Sequence, residues 1–181
     1  MKKLIWILCI VIMAQSKETE VSIYYPTLYS KYFGIGILGL SANQNIYINN
    51  NKYYGFKIDY SYFKDYIDHY INLRNLSLIT YLGNNTDFSK TILLNTKIGI
   101  GPMFQYNRAE TWDTNSYFRQ ININYASFLF SAGIVIKVNN FIGLHITEEL
   151  NWNIELSDNS NIINMATVLI FKPTLGIIFT Y

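Results

Sequence analysis

Residues 53–63, YYGFKIDYSYF, place Tyr54, Phe56, Ile58, Tyr60 and Tyr62 at alternate positions, with Gly55, Lys57, Asp59 and Ser61 between them. Successive side chains of a strand point to opposite faces, so a period of two predicts a strand with one apolar and one polar side. The pattern recurs over 90–106, where Ile92, Leu94, Ile98, Ile100, Phe104 and Tyr106 oppose Asn95, Lys97, Gly99, Gly101 and Gln105. Over 141–154, Ile142, Leu144, Ile146, Leu150 and Trp152 oppose Gly143, His145, Thr147, Glu149 and Asn151, and Glu148 interrupts the apolar face. The last stretch, 165–181, keeps Met165, Leu169, Phe171, Leu175, Ile177, Phe179 and Tyr181 in one parity. Its alternation passes through Pro173, where a local ladder defect is expected. Weaker alternation marks 31–48, 70–82 and 118–138, the last with a slip near Tyr125 to Phe128 of the kind a bulge produces.

Short turn signals (NNNK at 49–52, GNNTDFS at 83–89, VNN at 138–140) alternate with longer polar segments (DYIDHY at 65–70, NRAETWDTNS at 107–116, ELSDNSN at 155–161). This is the connection pattern of an outer-membrane barrel, which has short periplasmic turns, longer outer loops and an even number of strands. The runs above make seven, and VSIYYPTLYS at 21–30 supplies the eighth despite its Pro26. The predicted fold is therefore all-β, an eight-stranded antiparallel up-and-down transmembrane β-barrel.

The opening MKKLIWILCIVIMAQS has two lysines, a short apolar run and small residues near Ser16, the order of a secretory signal. Residues 1–16 are read as a cleaved signal peptide and 17–181 as one barrel domain. Cys9 leaves with the signal, and with it any disulfide or thiolate chemistry. Of 14 Lys and Arg, Lys2 and Lys3 are lost as well, leaving 12 basic against 12 acidic residues. Such a balance, without a basic run, excludes nucleic acid as a partner. The chain is only 14% charged yet holds 16 Tyr, 11 Phe and 3 Trp, a composition suited to facing lipid.

The polar parity assigns Lys57, Asp59, Lys97, Lys137, His145, Glu149 and Lys172 to a lumen network, since buried charges require partners. His145 and Glu149 are expected to pair with Lys or Arg of neighbouring strands. On the other parity Tyr54, Tyr60, Tyr62, Phe104, Tyr106, Trp152, Phe179 and Tyr181 fall near strand ends, where aromatic belts anchor a barrel at both interfaces. Tyr66, Tyr70, Trp112 and Tyr117, in the long connections, could serve a surface ligand. His145, Thr147 and Glu149 share one face, and a histidine oriented by a carboxylate toward a hydroxyl is the geometry of nucleophilic hydrolysis, so they stand as weak catalytic candidates. No histidine pair has zinc-ligand spacing, and the glycines of GIGILG at 34–39 lie in an alternating strand, so no metal or cofactor is expected. A secreted calyx of the lipocalin kind would share the strand count but needs the apolar face inside.

The ending PTLGIIFTY resembles the C-terminal signature of bacterial outer-membrane barrels, and KIGIGPMFQYN with a proline-bearing last strand resembles small barrels of the OmpA/OmpX and Bacteroidetes types. The resemblance implies outer-membrane lipids as surroundings and recognition of the last strand, through Leu175, Ile177, Phe179 and Tyr181, by the barrel-assembly machinery. It implies a structural or surface-interaction role through the outer loops. Small outer-membrane lipid A deacylases resemble the His145 region in using a His-x-Ser pair on a barrel strand; here Thr147 stands in the serine position. The alternatives to a non-enzymatic barrel are thus a lipid-modifying hydrolase using His145 and a secreted carrier of a small apolar ligand.

Overall fold

A computed structural model describes residues 18–29, 33–65, 70–110, 121–156 and 167–181. The strands are β1 (Glu18–Tyr24), β2 (Thr27–Tyr29), β3 (Phe33–Tyr47), β4 (Lys52–Asp65), β5 (Tyr70–Asp87), β6 (Ile92–Glu110), β7 (Ile121–Lys137), β8 (Ile142–Glu155) and β9 (Thr167–Thr180). β1 and β2 are two segments of one barrel strand, both pairing with β3 on one side and β9 on the other, so nine segments make eight strands. Every pairing is antiparallel between chain neighbours, and β1 against β9 closes the ring. Residues 1–16, read from the sequence as a signal, and the loop aromatics Tyr66, Trp112 and Tyr117 lie outside the described residues.

The stagger follows from the register. Glu18 faces Asn45, then in turn come Gly55, Tyr81, Gly99, Leu129, Asn151 and Ile170, and Ile170 faces Leu28, ten residues along from the start. Eight strands so staggered tilt by roughly 35–45° and enclose a lumen just wide enough for side chains to fill. The alternation fixes which face is which. Tyr53, Gly55, Lys57, Asp59 and Ser61 are buried, whereas Tyr54, Phe56, Ile58 and Tyr60 are exposed. Val21, Ile23, Leu40, Ile98, Ile146 and Leu175 likewise face outward. The apolar side is the outside, the reverse of a calyx built to hold an apolar ligand.

Several details depart from the sequence reading. β5 continues to Asp87, so most of GNNTDFS is strand and the tight connection is 88–91. Parity does not slip at Tyr125–Phe128: Tyr125, Ser127 and Leu129 all point inward in an unbroken register. The bulge lies in β3, where the register against β4 shifts between Gly36 and Leu38 and puts Ile37 and Leu38 outward together. The expectation at Pro173 holds: β9 runs through it unbroken, while its ladder with the first strand stops at Thr174 and resumes at Phe171, and across that gap the Tyr25 N–H reaches the Pro173 carbonyl only at 3.4 Å.

The lumen holds large rings, and glycines make their room. A Cβ on Gly83 would collide with the Tyr53 ring and one on Gly39 with the Tyr24 ring. Gly143 differs, since its Cβ would meet nothing nearer than 3.4 Å. Gly83→Val should therefore cost about 1–3 kcal/mol through overpacking, while Gly143→Ala should leave stability nearly unchanged. Urea-induced unfolding of the refolded protein in detergent micelles measures both.

Candidate functional site

The chemistry of the described residues is concentrated in the lumen. Three ion pairs cross it: Lys97 Nζ donates to Glu20 Oε2 at 2.5 Å, Lys57 to Glu149, and Lys172 to Asp59, with all six side chains buried. Three cations meet three anions, so this core carries no net charge. Glu20 is the most heavily solvated by protein. Asn43 Nδ2 and Asn45 Nδ2 donate to it at 2.6 and 2.8 Å, and Tyr81, which stands beneath the Lys97 ammonium, donates in turn to Asn45 Oδ1. Asp59 accepts from Tyr24 as well as Lys172, and the Lys172 ammonium lies 5.1 Å from the Tyr24 ring centre. Each carboxylate is thus met by a full charge, which is the condition for keeping ions away from water.

Apolar layers close the network at both ends. Phe63, Met103, Tyr125, Val168 and Ile170 pack together toward the long connections. Leu93, Val135 and Ile178 do so beside the short turns. Tyr53, Ile79, Tyr81 and Leu129 form a third cluster within the wall of the ladder. Below Leu93 an open mouth of about 620 Å³ is lined by Glu18, Asn49, Asn50, Asn51, Asn85, Asp87 and Lys137. Among the described residues no three His, Cys, Asp or Glu side chains group as a metal site.

Of the residues assigned to the lumen from the sequence, Lys57, Asp59, Lys97, His145, Glu149 and Lys172 are buried inside it. Lys137 is not: it is the last residue of β7, exposed at the mouth, where parity points it inward but the barrel has already opened to solvent. Partners also differ from expectation. Glu149 on β8 pairs with Lys57 on β4, on the far side of the barrel, rather than with an adjacent strand. Glu20, Ser22 and Tyr24 join the lumen without having been assigned to it from the sequence: Glu20 precedes the strand expected at 21–30, and the signal for all three is their alternation with Val21 and Ile23.

His145, Thr147 and Glu149 do share the lumen face, but no hydrogen bond joins them. The His145 Nε2 is bonded to Ser22 Oγ at 3.0 Å, Glu149 is held by Lys57, and the Thr147 hydroxyl has no hydrogen-bond partner. The imidazole lies over Gly176, where a Cβ would overlap it. On the outside, Tyr54, Phe179 and Tyr181 sit toward the short-turn end, and Tyr60, Tyr62, Phe104, Tyr106 and Trp152 toward the long-connection end, so the aromatics form two groups at opposite heights. Tyr181 also ties the closing strands, its hydroxyl lying 2.5 Å from Thr19 Oγ1.

No family model matches the chain, and no curated protein matches it in sequence. Its fold does match solved structures. Neisserial surface protein A aligns with a TM-score of 0.65 at 8% identity, covering 91% of this chain and 96% of that one. Ail, the attachment invasion locus protein of Yersinia pestis, aligns at 0.54 and 10%, covering 91% and 99%. The outer membrane enzyme PagL aligns at 0.53 and 9%, again covering 91% and 99%. The chain therefore has the fold of small outer-membrane barrels, which house enzymes and non-enzymes alike.

Removing one member of a buried pair strands the other charge. Lys57→Met should cost about 3–5 kcal/mol, and adding Glu149→Leu in the same molecule should recover most of the loss. A double-mutant cycle by urea unfolding, completed by Glu149→Leu alone, reads the coupling; a double-variant loss equal to the sum of the two single losses would mean that the pair is not formed.

Proposed function

We propose that the chain is an integral outer-membrane protein without catalytic activity, acting as a sealed barrel that presents its long connections at the cell surface. One observation carries this reading: the exposed wall is apolar and flanked by two groups of aromatics, while every charge of the lumen's centre is paired across it. An apolar exterior is favourable only against lipid. A lumen filled by side chains and capped by apolar layers speaks against a general pore. In this reading outer-membrane lipids surround the wall, a surface ligand would engage the long connections, and β9 is the strand that the barrel-assembly machinery recognises. Expressed with its leading segment, the protein should fractionate with the outer membrane and resist carbonate extraction. Recovery in the soluble periplasm would end the proposal.

A second reading is favoured by the bond between Ser22 and His145, since a hydroxyl held 3.0 Å from an imidazole is a nucleophile–base pair in form. Against it, both residues are buried, beside the ion pairs that fill the centre of the lumen. Lipid A mass analysis decides. The non-enzymatic reading expects identical acyl patterns with and without the protein, and His145→Gln should change only stability. A difference that disappears in His145→Gln would establish the hydrolase, because glutamine cannot act as a base.

A further inference from the structure

Glu148 faces outward midway along β8, on a face of that strand that is otherwise apolar. Ile142, Leu144 and Ile146 precede it on that face and Trp152 follows. Its register neighbours are Ala132 on β7 and Pro173 on β9, beyond which lie Phe130, Ile134, Phe171 and Leu175. The carboxylate accepts a hydrogen bond from the backbone of Lys172. No Lys or Arg faces it from the described outward positions of β1, β7, β8 or β9.

The same carboxylate borders a groove of about 580 Å³, whose outward side chains are Ile23, Tyr25, Leu38, Ile146, Pro173 and Leu175. The groove has a cause in the backbone. Pro26 and Pro173 have no N–H to offer, the first strand is interrupted at Tyr25–Pro26, and β3 bulges at Ile37 beside it. The wall is thus indented where its ladder is weakest, and the indentation holds one anionic group among hydrocarbon.

A carboxylate in the apolar belt is costly, and an ionisable group kept there marks a site whose partner supplies the opposite charge. A second copy of the chain meeting this patch about a twofold axis would bring two Glu148 carboxylates into one interface, and the described outward positions of β1, β7, β8 and β9 hold no Lys or Arg to balance them. An anionic lipid headgroup is disfavoured for the same reason. The complement is a body that is apolar along its length and positive at one end. We propose that the groove binds a lipophilic ammonium ion, its alkyl chain lying along Ile23, Leu38 and Leu175 and its protonated nitrogen on Glu148. The proposal rests on the membrane reading above, since only there does this wall face lipid.

Electron paramagnetic resonance of spin-labelled probes tests it, using the full chain refolded into phosphatidylcholine vesicles. Three probes share one long alkyl chain and differ in ending as ammonium, alcohol or carboxylate; the readout is the protein-immobilised fraction of each. The ammonium should associate about tenfold more strongly than the alcohol, with the carboxylate weakest. Glu148→Gln should bring the ammonium to the level of the alcohol. Leu175→Trp, which fills the groove and keeps the carboxylate, should do the same and serves if Glu148→Gln fails to give the heat-modifiable folded band. Equal association of ammonium and alcohol with the unmutated protein would overturn the site, as would a preference that survives both substitutions. A cross-linked dimer lost in Glu148→Gln would overturn it in favour of a second copy. Failure of the unmutated chain to insert overturns the membrane reading and this site together, whereas insertion without selectivity overturns the site alone.

Discussion

A charge placed inside an eight-stranded barrel has almost no water to face, so it must meet its opposite within the reach of two side chains. That constraint organises the whole interior. Lys57, Lys97 and Lys172 meet Glu149, Glu20 and Asp59, and the partners come from strands well separated in the chain. Each pair therefore acts as a cross-brace. Lys57 on β4 and Glu149 on β8 stand on opposite sides of the ring, a separation that no backbone ladder bridges. The backbone ladder holds neighbours together, and the ion pairs hold the far walls at a fixed distance.

The remaining interior fits around that ladder. Amide and phenol groups complete the hydrogen bonding of the carboxylates: Asn43 and Asn45 on Glu20, Tyr24 on Asp59. The rings that do this are large for so narrow a lumen, so they stand over glycines, Tyr24 over Gly39 and Tyr53 over Gly83. Apolar clusters at the two ends keep solvent from competing with the pairs. A barrel of this kind is an inverted globule, with its polar groups in the core and its apolar groups on the surface, and it suits only a solvent that is itself apolar.

Which faces are polar was legible in the sequence because β4, β6, β8 and β9 alternate cleanly, and Lys57, Asp59, Lys97, His145, Glu149 and Lys172 all lie where that parity puts them. Who pairs with whom was not. Partners across the lumen depend on the ten-residue stagger, which accumulates over every pairing around the ring and cannot be read from one strand. Alternation also fails where both faces are apolar. Tyr125 and Leu129 belong to the inner clusters, so β7 gave the impression of a slip that is absent, while the true bulge at Ile37 lies in GIGILG, where two apolar residues in succession look ordinary. Lys137 shows the third limit: parity gives direction but not depth, and a residue at the rim points inward into solvent.

The irregularities of the wall converge on the seam where the first strand closes against β9, and there the interior compensates for the backbone. Pro26 and Pro173 remove donors, and the Tyr25 N–H reaches the Pro173 carbonyl across the break only at 3.4 Å, although on its other side the Pro26 carbonyl accepts from the Gly36 N–H at 2.7 Å. Behind that break lie Tyr24 on β1 and Lys172 on β9, both bonded to Asp59 of β4, while the Tyr24 hydroxyl also lies 3.0 Å from the Tyr60 carbonyl. Three strands are thus fastened at one carboxylate, at the height where the ladder between two of them lapses. Asp59 consequently matters more to closure of the ring than its single salt bridge suggests. Losing it would free a buried ammonium and a buried phenol and leave the seam to the short ladders on either side of the gap.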